Sequence, residues 1–160
     1  MHAYDMMKYG HFTVLDAIKN LDESKWETAG VCGIWSVKDI IAHLTSYEIA
    51  LIDILNSVLT GKSTPYIERF INPDGKFNDE EVATRSQKSV EQVLEEYKSA
   101  HAEAVDVLSR IPAEQLRQNG VLAWYGEAYD LEDFLVYTYY AHKREHSAQI
   151  AVYRDRLSQA

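Results

Sequence analysis

The sequence is short of the residues that staple, anchor or interrupt a chain. It holds one cysteine, Cys32, which excludes an internal disulfide and a cysteine-built zinc cage. No apolar run approaches the roughly 20 residues that a membrane-spanning helix needs. There is no basic run either: 16 lysines and arginines stand against 25 acids, a formal charge of -9. A phosphate backbone or an anionic membrane requires a positive surface, so neither nucleic acid nor membrane is an expected partner. The opening residues, Met1-His2-Ala3-Tyr4-Asp5-Met6-Met7, carry no basic n-region and no apolar stretch. The expectation is a cytoplasmic protein without a signal peptide. Prolines number three and glycines seven, which leaves long segments unbroken.

What is present fills those segments with helix. At 160 residues, with 46% apolar and 26% charged residues, the chain has the composition of one soluble domain with its own core. Four stretches repeat apolar residues at helical spacing. The first runs from about Tyr4 to Leu21, with Met7, His11, Val14, Ile18 and Leu21 on one stripe. A connector, Asp22 to Ile34, holds Gly30, Cys32 and Gly33. Ser36 and Asp39 then form a capping box, opening a helix that runs through Ile40, Leu44, Leu51, Leu55 and Val58 to Gly61. Lys62 to Phe77, with Pro65 and the turn Asn72-Pro73-Asp74-Gly75, reads as a long loop of the kind that forms lids or stays disordered. Asn78 is the expected cap of a short helix. Ser89 with Gln92 opens the third long helix, striped by Val93, Tyr97, Ala104 and Leu108 and ended by Pro112. Asp130 with Asp133 opens the fourth, which turns Leu131, Phe134, Leu135, Thr138 and Ala141 inward and runs to about Leu157. Gly120 to Tyr129 is expected to be extended but too short to build a sheet. The pattern predicts an all-α protein: an antiparallel-type four-helix bundle with a long loop after helix two.

The candidate chemistry lies on the fourth helix. His142 and His146 stand at i and i+4, so both imidazoles share one helix face and can reach one point. Such a pair is either a two-ligand start on a divalent metal site or two solvated residues among Lys143, Arg144 and Glu145. A third histidine, His43, sits at the margin of the core stripe of helix two, beside Ile40 and Tyr47. If helices two and four pack together, His43 completes a facial triad with His142 and His146.

Two motifs then carry a resemblance. Trp35-Ser36-Val37-Lys38-Asp39, followed by His43-Leu44, joined to His-x-x-x-His-x-x-Gln-Ile at His142 to Ile150, resembles the DinB-like (DinB/YfiT) superfamily of four-helix bundles, and the likeness extends from Tyr4 to Leu157. The segment from Arg69 through Phe77-Asn78 is also similar to the related ClbS/DfsB subgroup. The resemblance implies a metal held by one histidine of helix two and two of helix four, which fall on His43, His142 and His146. It further implies a metal-dependent enzyme that transfers a low-molecular-weight thiol to a small electrophile, in detoxification or stress. The alternatives are a ClbS-like small-molecule hydrolase with water as nucleophile, or a non-enzymatic stress or binding bundle. Pairing through helix faces as a homodimer is implied as well, with some of the 11 tyrosines hidden in the contact.

Histidine ligands without sulfur admit zinc, nickel, iron or manganese. Tyr47 and Tyr139, each one turn from a histidine, are candidates to wall the pocket or supply a hydroxyl, or else to fill the core. Glu145 is a candidate to orient a ligand, or a solvated helix charge. Arg69 is the candidate to meet an anionic thiol. His11 is expected to be packed and hydrogen-bonded, His2 and His101 to lie on the surface, and Cys32 to be unreactive for want of a basic neighbour.

Overall fold

The computed structural model describes residues 2–160, and among them every regular element is helical. Helix α1 spans Ala3–Ile18, α2 Val37–Thr60, α3 Pro65–Ile71, α4 Phe77–Thr84, α5 Val90–Leu108 and α6 Ala113–Leu116. The fourth long rod is composite. It starts as α7 (Leu131–Leu135), passes through one π-helical segment (Val136–Ala141) and continues as α8 (His142–Gln159). α1, α2, α5 and this rod form the four-helix bundle.

The starts of three long helices follow their sequence signals. Capping boxes close at Ser36 with Asp39, at Ser89 with Gln92 and at Asp130 with Asp133, each satisfying backbone N–H groups that the first helical turn leaves open. Other expectations are corrected. The long loop after helix two is instead mostly helix: Thr64 caps α3, with Pro65 in its first turn, where a missing N–H costs nothing. Asn78 is not a cap. α4 begins one residue earlier at Phe77, because Asp74 takes the Lys76 N–H at 3.0 Å and the buried Phe77 ring anchors the first turn. Gly120 to Tyr129 is folded into turns, closed by Gly120 N–H donating to the Tyr129 carbonyl at 2.9 Å. α1 ends at Ile18, short of Leu21, and the chain turns at Asn20, whose φ is 61°.

Two apolar clusters fill the bundle. One gathers Met6, Met7, Leu51, Ile54, Leu55, Leu108, Phe134 and Leu135. The other gathers Val14, Ile18, Trp26, Ile40, Ile41, Val93 and Ile150. Between them runs a polar layer to which every long helix contributes. His11 comes from α1, His43 and Glu48 from α2, His101 from α5, and Lys143 and His146 from α8. At its centre the carboxylate of Glu48 and the ammonium of Lys143, both fully buried, form a close ion pair. The second Glu48 oxygen is 3.2 Å from His101 Nδ1, and the His101 ring stacks on His11 with centroids 3.9 Å apart. His11 bonds in turn to the Tyr97 hydroxyl at 3.2 Å. His101 is therefore not a surface residue. It follows Tyr97 by one turn on the inward face of α5, a spacing that its polar type obscured.

This layer joins helices that otherwise meet little. α2 packs chiefly on α5 and α1 chiefly on α8, whereas α2 and α8 touch sparsely. The Lys143 stem reaches Glu48 past Gly10 of α1, where a Cβ would lie 3.2 Å from the Lys143 Cδ. Burial alone would raise the Glu48 carboxyl, but Lys143 and His101 overcome it and hold it at about 2. Its folded value is depressed, so the stability it contributes is present above its ordinary 4.5 and lost as pH falls toward 2.

Breaking a buried pair from one side strands a charge, at a cost of about 3–5 kcal/mol. Glu48→Gln and Lys143→Met should each destabilise by about that amount, while the uncharged double variant recovers most of it. Urea unfolding at pH 7 measures all three, and single variants with parental midpoints would remove the pair from this role.

Candidate functional site

The site is assembled by three segments. α2 supplies His43 two turns after its cap. The connector before α2 supplies Trp35: the Trp35 N–H donates to Cys32 O at 2.8 Å, and Gly33 takes the left-handed φ of 57° that this tight turn needs. That turn sets the indole against His43, with ring centroids 4.8 Å apart. The composite rod supplies His142 and His146. Its π segment ends where His142 begins, and one extra residue in a turn rotates the downstream helix by roughly 100°. Leu131, Phe134 and Leu135 thus face the core, while the histidines further along face α2.

The three histidines converge. His142 Nε2 lies 2.9 Å from His43 Nε2 and 3.0 Å from His146 Nε2, and the ligand atoms of all three fall within 4.8 Å of one another. The rings meet edge to face, with the planes of His43 and His142 at 85°. Burial, followed by the mutual repulsion of the imidazoles, lowers His43 to about 2. Burial, then His146 and Lys143, lowers His142 to about 3, and burial lowers His146 as well. All three are therefore neutral near pH 7, with lone pairs to offer. The Gln149 carbonyl oxygen accepts from His146 Nδ1 at 2.8 Å, which places the proton there and aims the Nε2 lone pair inward. Buried His43 Nδ1 has no partner among the described residues. Neutral imidazoles this crowded cannot satisfy every inward nitrogen by sharing protons, whereas one divalent cation accepts all three lone pairs. The donor set fits such an ion.

Around the histidines the other candidates separate. The Tyr47 ring lies 4.4 Å from His142 and 4.7 Å from His43 and forms a wall, its hydroxyl pushed up by burial. Tyr139 is buried and donates its hydroxyl to the Tyr47 carbonyl at 3.1 Å, so it supports that wall from the core. Glu145 is exposed at the rim of a cavity of about 280 Å³ that opens over His142. Arg69 sits on α3, its guanidinium held by Glu80 at 3.2 Å and Glu81 at 3.0 Å and lying over the Phe77 ring. Sequence reasoning gave no role to Trp35, Gln149 or the Glu48–Lys143 pair. Gln149 had a signal in its i+3 spacing from His146 and Trp35 in its place before the capping box, whereas the Glu48–Lys143 pair had none.

Comparison with known proteins bears on the fold. Residues 13–150 match the family model of the DinB superfamily. Among solved structures the chain is similar to the crystal structure of the mycothiol-dependent maleylpyruvate isomerase. The TM-score is 0.74 at 16% identity, over 92% of this chain and 59% of that one. A histidine-to-alanine variant of that isomerase gives the same TM-score and coverage at 15% identity. The chain thus spans about three fifths of that enzyme's length. Comparison with curated proteins gives no match. No helix among the described residues is long and apolar enough to cross a membrane.

The depressed histidines have a consequence for pH. An unfolded imidazole binds a proton near 6.5, whereas folded His43 and His142 bind theirs only near 2 and 3. Stability from this cluster is full above 6.5 and falls steadily as the pH is lowered below it. Imidazole nitrogen chemical shifts of His43 and His142 should stay those of neutral rings from pH 8 to 5. Protonation of either within that range would show that the cluster is open to water.

Proposed function

Because this chain belongs to the DinB superfamily, we propose that it is a metal-dependent enzyme that transfers a small thiol to an electrophilic carbon, with His43, His142 and His146 holding one divalent ion. The observation that carries this reading is the convergence of three neutral imidazoles, with His142 Nε2 2.9 Å and 3.0 Å from the other two, beside an open cavity. The fold shared with a mycothiol-dependent enzyme supports the thiol, and the histidine geometry supports the ion.

A divalent ion held by His43, His142 and His146 would supply a Lewis acid that stabilises the deprotonated form of a thiol near neutral pH. The chain's own residues do the rest. Three imidazoles leave positions free for a reacting molecule, as open sites do. Trp35 and Tyr47 cover His43, so approach is restricted to the side of His142. Gln149 fixes the tautomer of His146. Glu145, at the cavity rim, takes the thiol proton. The S–H bond breaks as that proton moves to the carboxylate, and sulfur forms a bond to the electrophilic carbon. The displaced group leaves with the electron pair of its bond to that carbon. Zinc, nickel, iron and manganese all suit a nitrogen donor set of this kind.

Elemental analysis of tag-free protein should find near-stoichiometric metal, lost in His43→Ala, His142→Ala and His146→Ala. The loaded protein should accelerate conjugation of an electrophile with at least one of glutathione, mycothiol and bacillithiol, and Glu145→Gln should slow it about 10²-fold or more. Metal present at the same level in all the variants would sink the triad. Acceleration with water alone would replace the transferase by a hydrolase.

A further inference from the structure

The cavity over His142 has a neighbour. Thr138, one turn before His142, lines it together with Tyr47, Tyr137 and Glu145. Thr138 also lines a second cavity of about 340 Å³, whose remaining walls are Phe70, Ile71, Trp124, Tyr125 and Phe134. Three segments meet here: the end of α3, the turns before α7, and the α7–π rod. The aromatic walls brace one another, with Phe134 5.6 Å from Trp124 and 4.9 Å from Tyr125 between centroids. Trp124 and Ile71 remain 40% and 38% exposed, although each has an apolar side chain that packing would bury. Exposed apolar surface beside a polar reaction site is characteristic of ligand pockets.

The charge around the two cavities is as informative. Neither lining contains a lysine or arginine, and Glu145 supplies a negative charge. The nearest guanidinium in sequence, that of Arg69 beside Phe70, is held by Glu80 and Glu81. The chain as a whole carries -9. Inside the aromatic cavity itself a carboxylate would find no cationic partner, whereas an uncharged aromatic group would find the rings of Phe70, Trp124 and Tyr125.

We infer that the aromatic cavity is the electrophile subsite, and that it takes an uncharged molecule bearing an aromatic or bulky apolar group. With that group seated against Trp124 and Phe70, Thr138, which lines both cavities, stands between it and His142, and the reacting carbon extends toward the triad. These walls hold no charge partner for a carboxylate. This inference rests on the transferase reading for the reaction, but not for the binding.

The test uses the full chain, metal-free and metal-loaded, with 2-naphthylmethanol as the uncharged probe and maleate as the dianion. Nitrogen–proton NMR should show the Trp124 indole and the Thr138 amide shifting with the naphthyl probe in both forms, and the Trp124 indole unmoved by maleate in the metal-free protein. Trp124→Ala should weaken naphthyl binding about tenfold or more, and Thr138→Trp should block it, both with metal content unchanged. Binding of maleate at this cavity would overturn the inference, as would naphthyl shifts confined to other residues. Shifts of Trp124 that depend on protein concentration rather than probe would assign the surface to self-association and overturn it too. Absence of metal in the parent would sink the triad and leave this result standing, because the binding is read on metal-free protein.

Discussion

The ion pair between Glu48 and Lys143 is the contact on which the site depends. Two charges taken fully out of water cost several kcal/mol each, and a well-packed apolar pair in their place would serve stability as well or better. Their value lies in where they stand. α2 and α8 carry the three converging histidines, yet each packs mainly on a different neighbour. Lys143 directly succeeds His142, and Glu48 lies little more than a turn beyond His43, so the pair sets the spacing of the two backbones beside the histidines. His101 and His11 extend the same network to the remaining long helices.

A polar layer across the waist of a bundle has a second effect. It divides the apolar interior into two clusters and leaves the histidines at the boundary between them, walled but not sealed. Desolvation there keeps the imidazoles neutral, while partial exposure of His142 keeps one side open. Neutral donors with one open side are what a reactive metal site requires and what a closed structural site lacks.

The shared fold and the local chemistry carry separate information. The bundle is similar to that of a mycothiol-dependent isomerase at 16% identity, which establishes architecture and leaves the reaction to be argued from side chains. Around His142 those side chains are aromatic on one flank and acidic at the rim, with the one nearby arginine of α3 engaged by glutamates. These walls come from α3 and the turns before α7 as well as from α2 and the composite rod.

Much of the fold was legible in the sequence because its signals are local. Apolar spacing, three capping boxes and the Gly61 stop act within one or two turns, and they held, save that Leu21 falls beyond α1 and Ala141, expected inward, is exposed. His142 and His146 shared a face for the same reason, since i and i+4 are fixed by helix geometry alone. Residues whose roles depend on distant neighbours were not legible. His101 looked like a surface residue until Glu48, 53 positions away, supplied a buried partner. The segment around Pro65 looked like a loop because its prolines and the turn at Asn72 to Gly75 were prominent, although Thr64 and Pro65 are start signals of a short helix that buried Ile67 and the Arg69–Glu81 pair hold in place. The sequence by itself determined an all-helical chain with three histidines at suggestive positions. Only the tertiary structure decided that His43 meets the other two across 99 residues, and that Phe70, Trp124 and Thr138 share one cavity. The physical reason is that helix periodicity fixes directions around one axis, whereas convergence requires the relative placement of several axes, which buried contacts between them set.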